Sequence, residues 1–115
     1  MKSHSDLTVY SKSLDLVEEI YNLTKKFPAE EKFGITSQIR RAAVSVPSNL
    51  AEGAGRQSKK EFSRFLYISL GSLAEIETLL IISQRPRYVL EISDMKEDLI
   101  YIRRMLLKLI KSLDL

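Results

Sequence analysis

The sequence predicts an all-α protein: an antiparallel up-and-down four-helix bundle, one domain over residues 1–115. Three observations carry that reading. Apolar residues recur at steps of three and four in four separate segments, no segment alternates with period two long enough for a strand, and proline or glycine punctuates the gaps. Helices are expected at about 6–27, 36–54, 59–84 and 93–113.

In the first segment Leu7, Tyr10, Leu14, Val17, Tyr21 and Thr24 follow a 3-4-3-4-3 rhythm, with Leu16, Ile20, Leu23 and Phe27 as a second row beside it. Such a wide stripe makes roughly 30 Å of helix with one buried face. Ser5 and Asp6 suit its cap, and Pro28 should stop it by driving Phe27 out of the helical region. A polar connection follows up to Gly34.

The second segment places Ile35, Ile39, Ala42, Val46, Leu50 and Gly53 on one face. Pro47 removes a hydrogen bond to the Ala43 carbonyl, which predicts a kink there. Pro47 would also be comfortable opening a separate helix, but the apolar rhythm crosses it without a phase break and favours one kinked helix. Ala42, Ala43, Ser45, Ser48 and Ala51 are small enough for a neighbour to approach closely. Gly53-Ala54-Gly55 reads as a stop with a glycine in the left-handed cap conformation.

The third segment opens on Ser58-Lys59-Lys60-Glu61, a capping box in which serine accepts from the third helical amide and glutamate reaches back. It should end before Arg85-Pro86. Phe62, Phe65, Leu66, Leu70, Leu73 and Leu80 form one strip, while Ile68, Ile76, Leu79 and Ile82 spread beyond it. A helix apolar on most sides needs covering on most sides, more than a single bundle supplies, so self-association is expected. In the fourth segment Met95, Leu99, Ile102, Leu106, Leu109 and Leu113 make a clean stripe that Leu107 and Ile110 widen. Short connections favour antiparallel neighbours.

Composition narrows the chemistry. With 44% hydrophobic and 29% charged residues the chain reads as an ordinary globular protein. It has no cysteine, which excludes disulfides and thiolate metal sites and suits a reducing cytoplasm. No signal-like run opens it, and its longest apolar cluster, Leu79–Ile82, falls far short of a bilayer span, so no membrane partner is expected. The one histidine, His4, lies outside the helical stripes, so Glu-x-x-His metal pairs and a histidine-based triad are missing. No metal, cofactor or catalytic activity is expected. Gly53-Ala54-Gly55 is not a phosphate loop: no strand precedes it, and glycine-lysine is replaced by Ser58-Lys59.

Charge is more informative. The chain carries a net +3, yet residues 36–60 alone hold five cations against Glu52, a net +4. Arg40, Arg41, Arg56, Lys59, Lys60 and Arg64, joined by Arg104 and Lys108 on the fourth helix, are the candidate nucleic-acid contacts. The competing reading makes them surface partners of Glu52, Glu61, Glu97 and Asp98, worth a few tenths of a kcal/mol each. Aromatic residues are few and lie mostly in apolar stripes, so contact to backbone phosphate is expected rather than base stacking.

The run Asp6–Leu80 resembles the four-helix proteins encoded in intervening sequences of bacterial 23S ribosomal RNA genes. The residues that carry the resemblance are Phe27-Pro28, Gln38-Ile39-Arg40-Arg41-Ala42, Ser48-Asn49-Leu50-Ala51-Glu52-Gly53 and Phe62-x-x-Phe65-Leu66. Before the last helix, where that family usually carries leucine-glycine-tyrosine, this chain has Arg85-Pro86-Arg87-Tyr88. The resemblance implies a ring-shaped homopentamer. The family is also similar to the accessory proteins of diversity-generating retroelements, which are pentameric and associate with nucleic acid and a reverse transcriptase. By position it singles out Gln38, Arg40, Arg41, Asn49, Glu52 and Arg56, with Asn49 and Glu52 holding backbone near Pro47, and Pro47 and Gly53 as structural residues. The expected function is non-catalytic binding of structured RNA or DNA by an oligomer. The alternative is a scaffold that recruits a protein partner without nucleic acid.

Overall fold

A computed structural model describes residues 4–115, with side chains from Asp6 onward. Four helices make the fold: α1 (His4–Thr24), α2 (Ile35–Ala54), α3 (Lys59–Gln84) and α4 (Ser93–Ser112), with one 3-10 turn at Ala29–Glu31. No strand occurs among the described residues. Each helix packs on two others, α1 on α2 and α4, and α3 on α2 and α4, so the four enclose one core. Residues rising along α2 meet residues falling along α3: Gln38 meets Glu75, Ser45 meets Ser72, and Gly53 lies against Phe62 and Phe65. These two helices therefore run antiparallel. The bundle measures 43 × 25 × 19 Å.

α1 differs from its sequence reading in two ways. It ends at Thr24, three residues early, and Lys26 and Phe27 turn by donating amides to the Leu23 and Thr24 carbonyls at 3.3 and 3.1 Å. Its core row is Val9, Ser13, Leu16, Ile20 and Thr24, while Leu7, Leu14 and Tyr21 of the expected stripe are exposed. The reason is local. The Ser13 and Thr24 hydroxyls donate to the Tyr10 and Ile20 carbonyls of their own helix at 2.7 Å, so these two polar residues are buried without a desolvation penalty. The helix is already running at His4, so Asp6 lies within it and is no cap; the Ser5 side chain falls outside the described residues.

α2 continues through a buried Pro47, which therefore does not open a separate helix. Side chains serve the backbone just before the proline. Asn49 Nδ2 donates to the Ser45 carbonyl at 2.8 Å, and Ser69 Oγ, reaching from α3, donates to the Val46 carbonyl at 2.9 Å. The expected left-handed glycine cap is absent. Gly55 has φ −80° and ψ −8°, and the helix closes through its amide to the Ala51 carbonyl at 3.1 Å.

α3 has the predicted bounds and half of its capping box. Ser58 Oγ accepts from the Glu61 amide at 3.0 Å, but the Glu61 carboxylate turns to Arg64 instead of reaching back. Ile76 and Leu79 are core residues, and Ser63, Ser69, Ser72 and Ser83 share the buried face. Tyr67, Ile68, Ile81 and Ile82 remain uncovered by the chain's own helices, with exposures of 57, 39, 45 and 49%. By length and composition α3, 26 residues with a mean hydropathy of 1.7 over an 18-residue window, is apolar enough to cross a membrane. Its short unbroken apolar clusters give no sign of this. Packing against α2 and α4 accounts for much of that apolarity, since the inner face of α3 supplies the core.

In α4, Leu99, Ile102 and Leu106 are buried and Met95, Leu109 and Leu113 pack beside them, as the stripe predicts. The preceding turn holds Arg87 at φ 64°. That is the left-handed region, where glycine would sit without strain.

Candidate nucleic-acid interface

The basic segment of the sequence is divided by the fold. Arg40 and Arg41 lie near the start of α2, whereas Arg56, Lys59, Lys60 and Arg64 gather at the α2–α3 turn, about 22 Å of helical rise away from Arg41. The antiparallel course of the chain returns α4 to that turn. Arg56, Lys59 and Lys108 accordingly line one cavity of about 730 Å³ at this end of the bundle. Phe62, Met105, Leu109 and Leu113 give the cavity an apolar wall, and Asp6 contributes a carboxyl. Arg104 stands exposed one turn before Lys108, and Lys60 is exposed beside Lys59.

Two of these cations are engaged. Arg56 pairs with Glu52 at 3.1 Å and Arg64 with Glu61 at 3.1 Å. Their guanidinium carbons lie 5.0 and 4.6 Å from the centroid of the Phe65 ring, so one aromatic ring holds both. The Arg64 hydrogen bond holds the Glu61 carboxyl below the usual carboxylate range. Pairing at such exposed positions is weak and leaves the guanidinium edges available. Glu52, expected to support the Pro47 region, is used here on Arg56; Asn49 alone of the pair reaches the backbone before Pro47.

Arg40 has a different use. Its Nε donates to Thr24 Oγ1 at 2.8 Å, its Nη2 to the Tyr21 carbonyl at 3.4 Å, and its guanidinium lies 4.5 Å from the Tyr21 ring centroid. It fastens α2 to the end of α1. Arg41 is exposed and lines a shallower groove with Gln38, whose amide donates to Glu75 at 3.5 Å.

The expected partners on α4 behave otherwise. Asp98 lies beside Glu19 of α1, and Glu19 is pushed up to about 7, first by burial and then by that neighbouring carboxyl. No cluster of three metal-ligating side chains occurs among the described residues.

Sequence reasoning missed Phe33, 90% exposed in the connection before α2. It lies outside every apolar stripe, between Pro28 and Gly34, where no periodicity tells core from solvent.

Comparison with known proteins agrees with the fold. A crystal structure at 1.70 Å of a protein of unknown function from the S23 ribosomal protein family of Bacteroides thetaiotaomicron is similar, with a TM-score of 0.85 and 31% identity. The match covers 93% of this chain and 98% of that one. No curated protein matches the chain. The family model described as 23S rRNA-intervening sequence protein matches residues 5–108, and with the same fold and this structural likeness beside it, the chain belongs to that family.

Proposed function

We propose that this protein is a non-catalytic, oligomeric nucleic-acid-binding module that holds structured RNA or DNA through backbone phosphates at the α2–α3 end of the bundle. The observation that carries the reading is the convergence of Arg56, Lys59 and Lys108, drawn from the α2–α3 turn and from α4, around one cavity beside the α3 N-terminus. Cationic side chains next to a helix N-terminus favour phosphate. Membership of a family encoded within ribosomal RNA genes is consistent with an RNA ligand. A cytoplasmic location suits a chain without cysteine.

Self-association belongs to the same reading. The uncovered Tyr67 and Ile68, and Ile81 and Ile82 about 20 Å further along α3, are two apolar patches, and burying them between copies would set several basic ends side by side. The family resemblance points to a ring of five. Those patches also support the second reading, a scaffold for another protein; a partner that stays bound after nuclease treatment would favour it.

The test is binding of a labelled RNA duplex across a salt series. Each phosphate neutralised by the protein adds a slope of roughly −0.9 in log K against log salt. Lys59→Gln with Lys108→Gln should weaken binding and flatten the slope by roughly 0.9 for each phosphate no longer neutralised. An unchanged affinity and slope, or no binding at low salt, would refute the proposal.

A further inference from the structure

The second polar groove, at the Arg41 end, has a composition of its own. Phe33, Ser37, Gln38, Arg41, Ser45 and Glu75 line about 410 Å³, within the ~300–1,000 Å³ range of small-ligand sites. The Phe33 ring is 90% exposed, yet the loop that presents it is fixed. Glu31 accepts from Tyr88 Oη at 2.9 Å and from the Ile35 amide at 3.3 Å, and Tyr88 in turn packs on Phe27 with ring centroids 5.5 Å apart. Lys32 places its Nζ 5.5 Å from the Phe33 centroid. A large aromatic ring is thus held in solvent above hydroxyl, amide and carboxylate groups, with two cations nearby.

We propose that this groove takes one unpaired nucleotide of a nucleic-acid strand, its base stacked on Phe33 and its phosphate held by Arg41 and Lys32. The inference rests on the nucleic-acid reading above and adds a second, single-strand contact at the opposite end of the bundle. The chemistry divides cleanly. The ring supplies a stacking platform that any base can use. Glu75 would repel a phosphate but accepts from an exocyclic amino group, so it faces the base edge, and Gln38 both donates and accepts there. The long 3.5 Å bond between Gln38 and Glu75 is readily exchanged for bonds to a base. A contact between copies of the chain would instead seat an exposed phenylalanine among apolar groups; here its groove neighbours are polar.

The chain contains no tryptophan, so Phe33→Trp installs a single fluorescent reporter at the stacking position. The experiment measures binding of labelled oligocytidylate, whose base carries an exocyclic amino group, and of an RNA duplex to the wild type, Phe33→Ala and Phe33→Trp, with light scattering on each. Expected are a roughly 5- to 150-fold loss of single-strand affinity in Phe33→Ala, duplex binding and mass unchanged, and quenching of the Phe33→Trp emission by oligocytidylate. Full exposure of Phe33 means that neither variant should unfold the chain. Wild-type single-strand affinity in Phe33→Ala would overturn the inference, and so would a fall in mass, which would make Phe33 a subunit contact. Duplex binding without any single-strand binding by the wild type would overturn this inference alone; failure to bind either would overturn the parent reading with it.

Discussion

An alanine at Gly53 would place its Cβ 2.7 Å from Phe65 Cβ, 3.0 Å from Phe62 Cδ1 and 3.3 Å from the Phe62 carbonyl oxygen. Ordinary carbon–carbon contact lies near 3.5–4.0 Å, so α2 and the start of α3 would have to separate by several tenths of an ångström or more. Two of the three opposing atoms are fixed to the α3 backbone and cannot rotate away. Overpacking of this kind costs about 1–3 kcal/mol, while the better helix propensity of alanine returns about 1 kcal/mol. Because the obstacle is rigid the upper part of the overpacking range applies, and Gly53→Ala should lose about 1–2 kcal/mol. Gly55 supplies the control two residues on. Its φ of −80° suits any residue and its nearest neighbour is 3.5 Å away, so Gly55→Ala should be neutral or gain up to about 1 kcal/mol. Urea denaturation followed by circular dichroism, at one protein concentration for all variants, measures both. A Gly53→Ala variant as stable as the wild type would refute the packing reasoning.

Further outcomes follow from the same geometry. Arg40→Ala should cost about 1–2 kcal/mol by removing its bond to Thr24 and its seat on Tyr21, whereas exposed Arg41→Ala should stay within about 0.5 kcal/mol; equal effects in thermal denaturation would contradict the separate uses assigned to them. Arg87→Gly should raise stability by roughly 0.5–1 kcal/mol, since the left-handed φ of 64° strains arginine and suits glycine, and a lower melting temperature would count against this. Folded Glu19 holds its proton up to about pH 7 against an ordinary value of 4.5, so the folded state binds protons more tightly and stability should rise as pH falls from 8 toward 5. Solvent screening keeps that gain small. Glu19→Gln should flatten the melting-temperature profile across this window, and a profile as steep as the wild type's would remove Glu19 as its source.

The helices were legible because their signals are strong and local. The 4-3-4-3-4 stripe of α4 and the Ser58 cap of α3 needed no tertiary information. The α1 stripe includes Thr24 as expected but misses Ser13, which hides its hydroxyl by bonding to the carbonyl three residues back, an option a hydropathy pattern treats as polar and exposed. Charge clustering in sequence was a poor guide to clustering in space. Arg41 and Arg56 share one basic segment but lie at opposite ends of α2, while Lys108, half the chain away from Arg56, joins it at one cavity. Phe33 escaped notice for a related reason: outside any periodic segment, a phenylalanine carries no sequence signal that says whether it faces core or solvent.

The uncovered apolar patches of α3 matter most, because they would bring copies together so that their basic ends act jointly. Multi-angle light scattering and duplex-RNA titration on the wild type and on Tyr67→Glu with Ile81→Glu address them in one measurement pair. Both side chains are exposed in the subunit, so its helix content should be unchanged. The prediction is a wild-type mass several-fold above 13.2 kDa that falls to the subunit mass in the variant, with RNA affinity falling alongside. A wild type that remains at 13.2 kDa at micromolar concentration, or a variant that keeps both its mass and its RNA affinity, would contradict it.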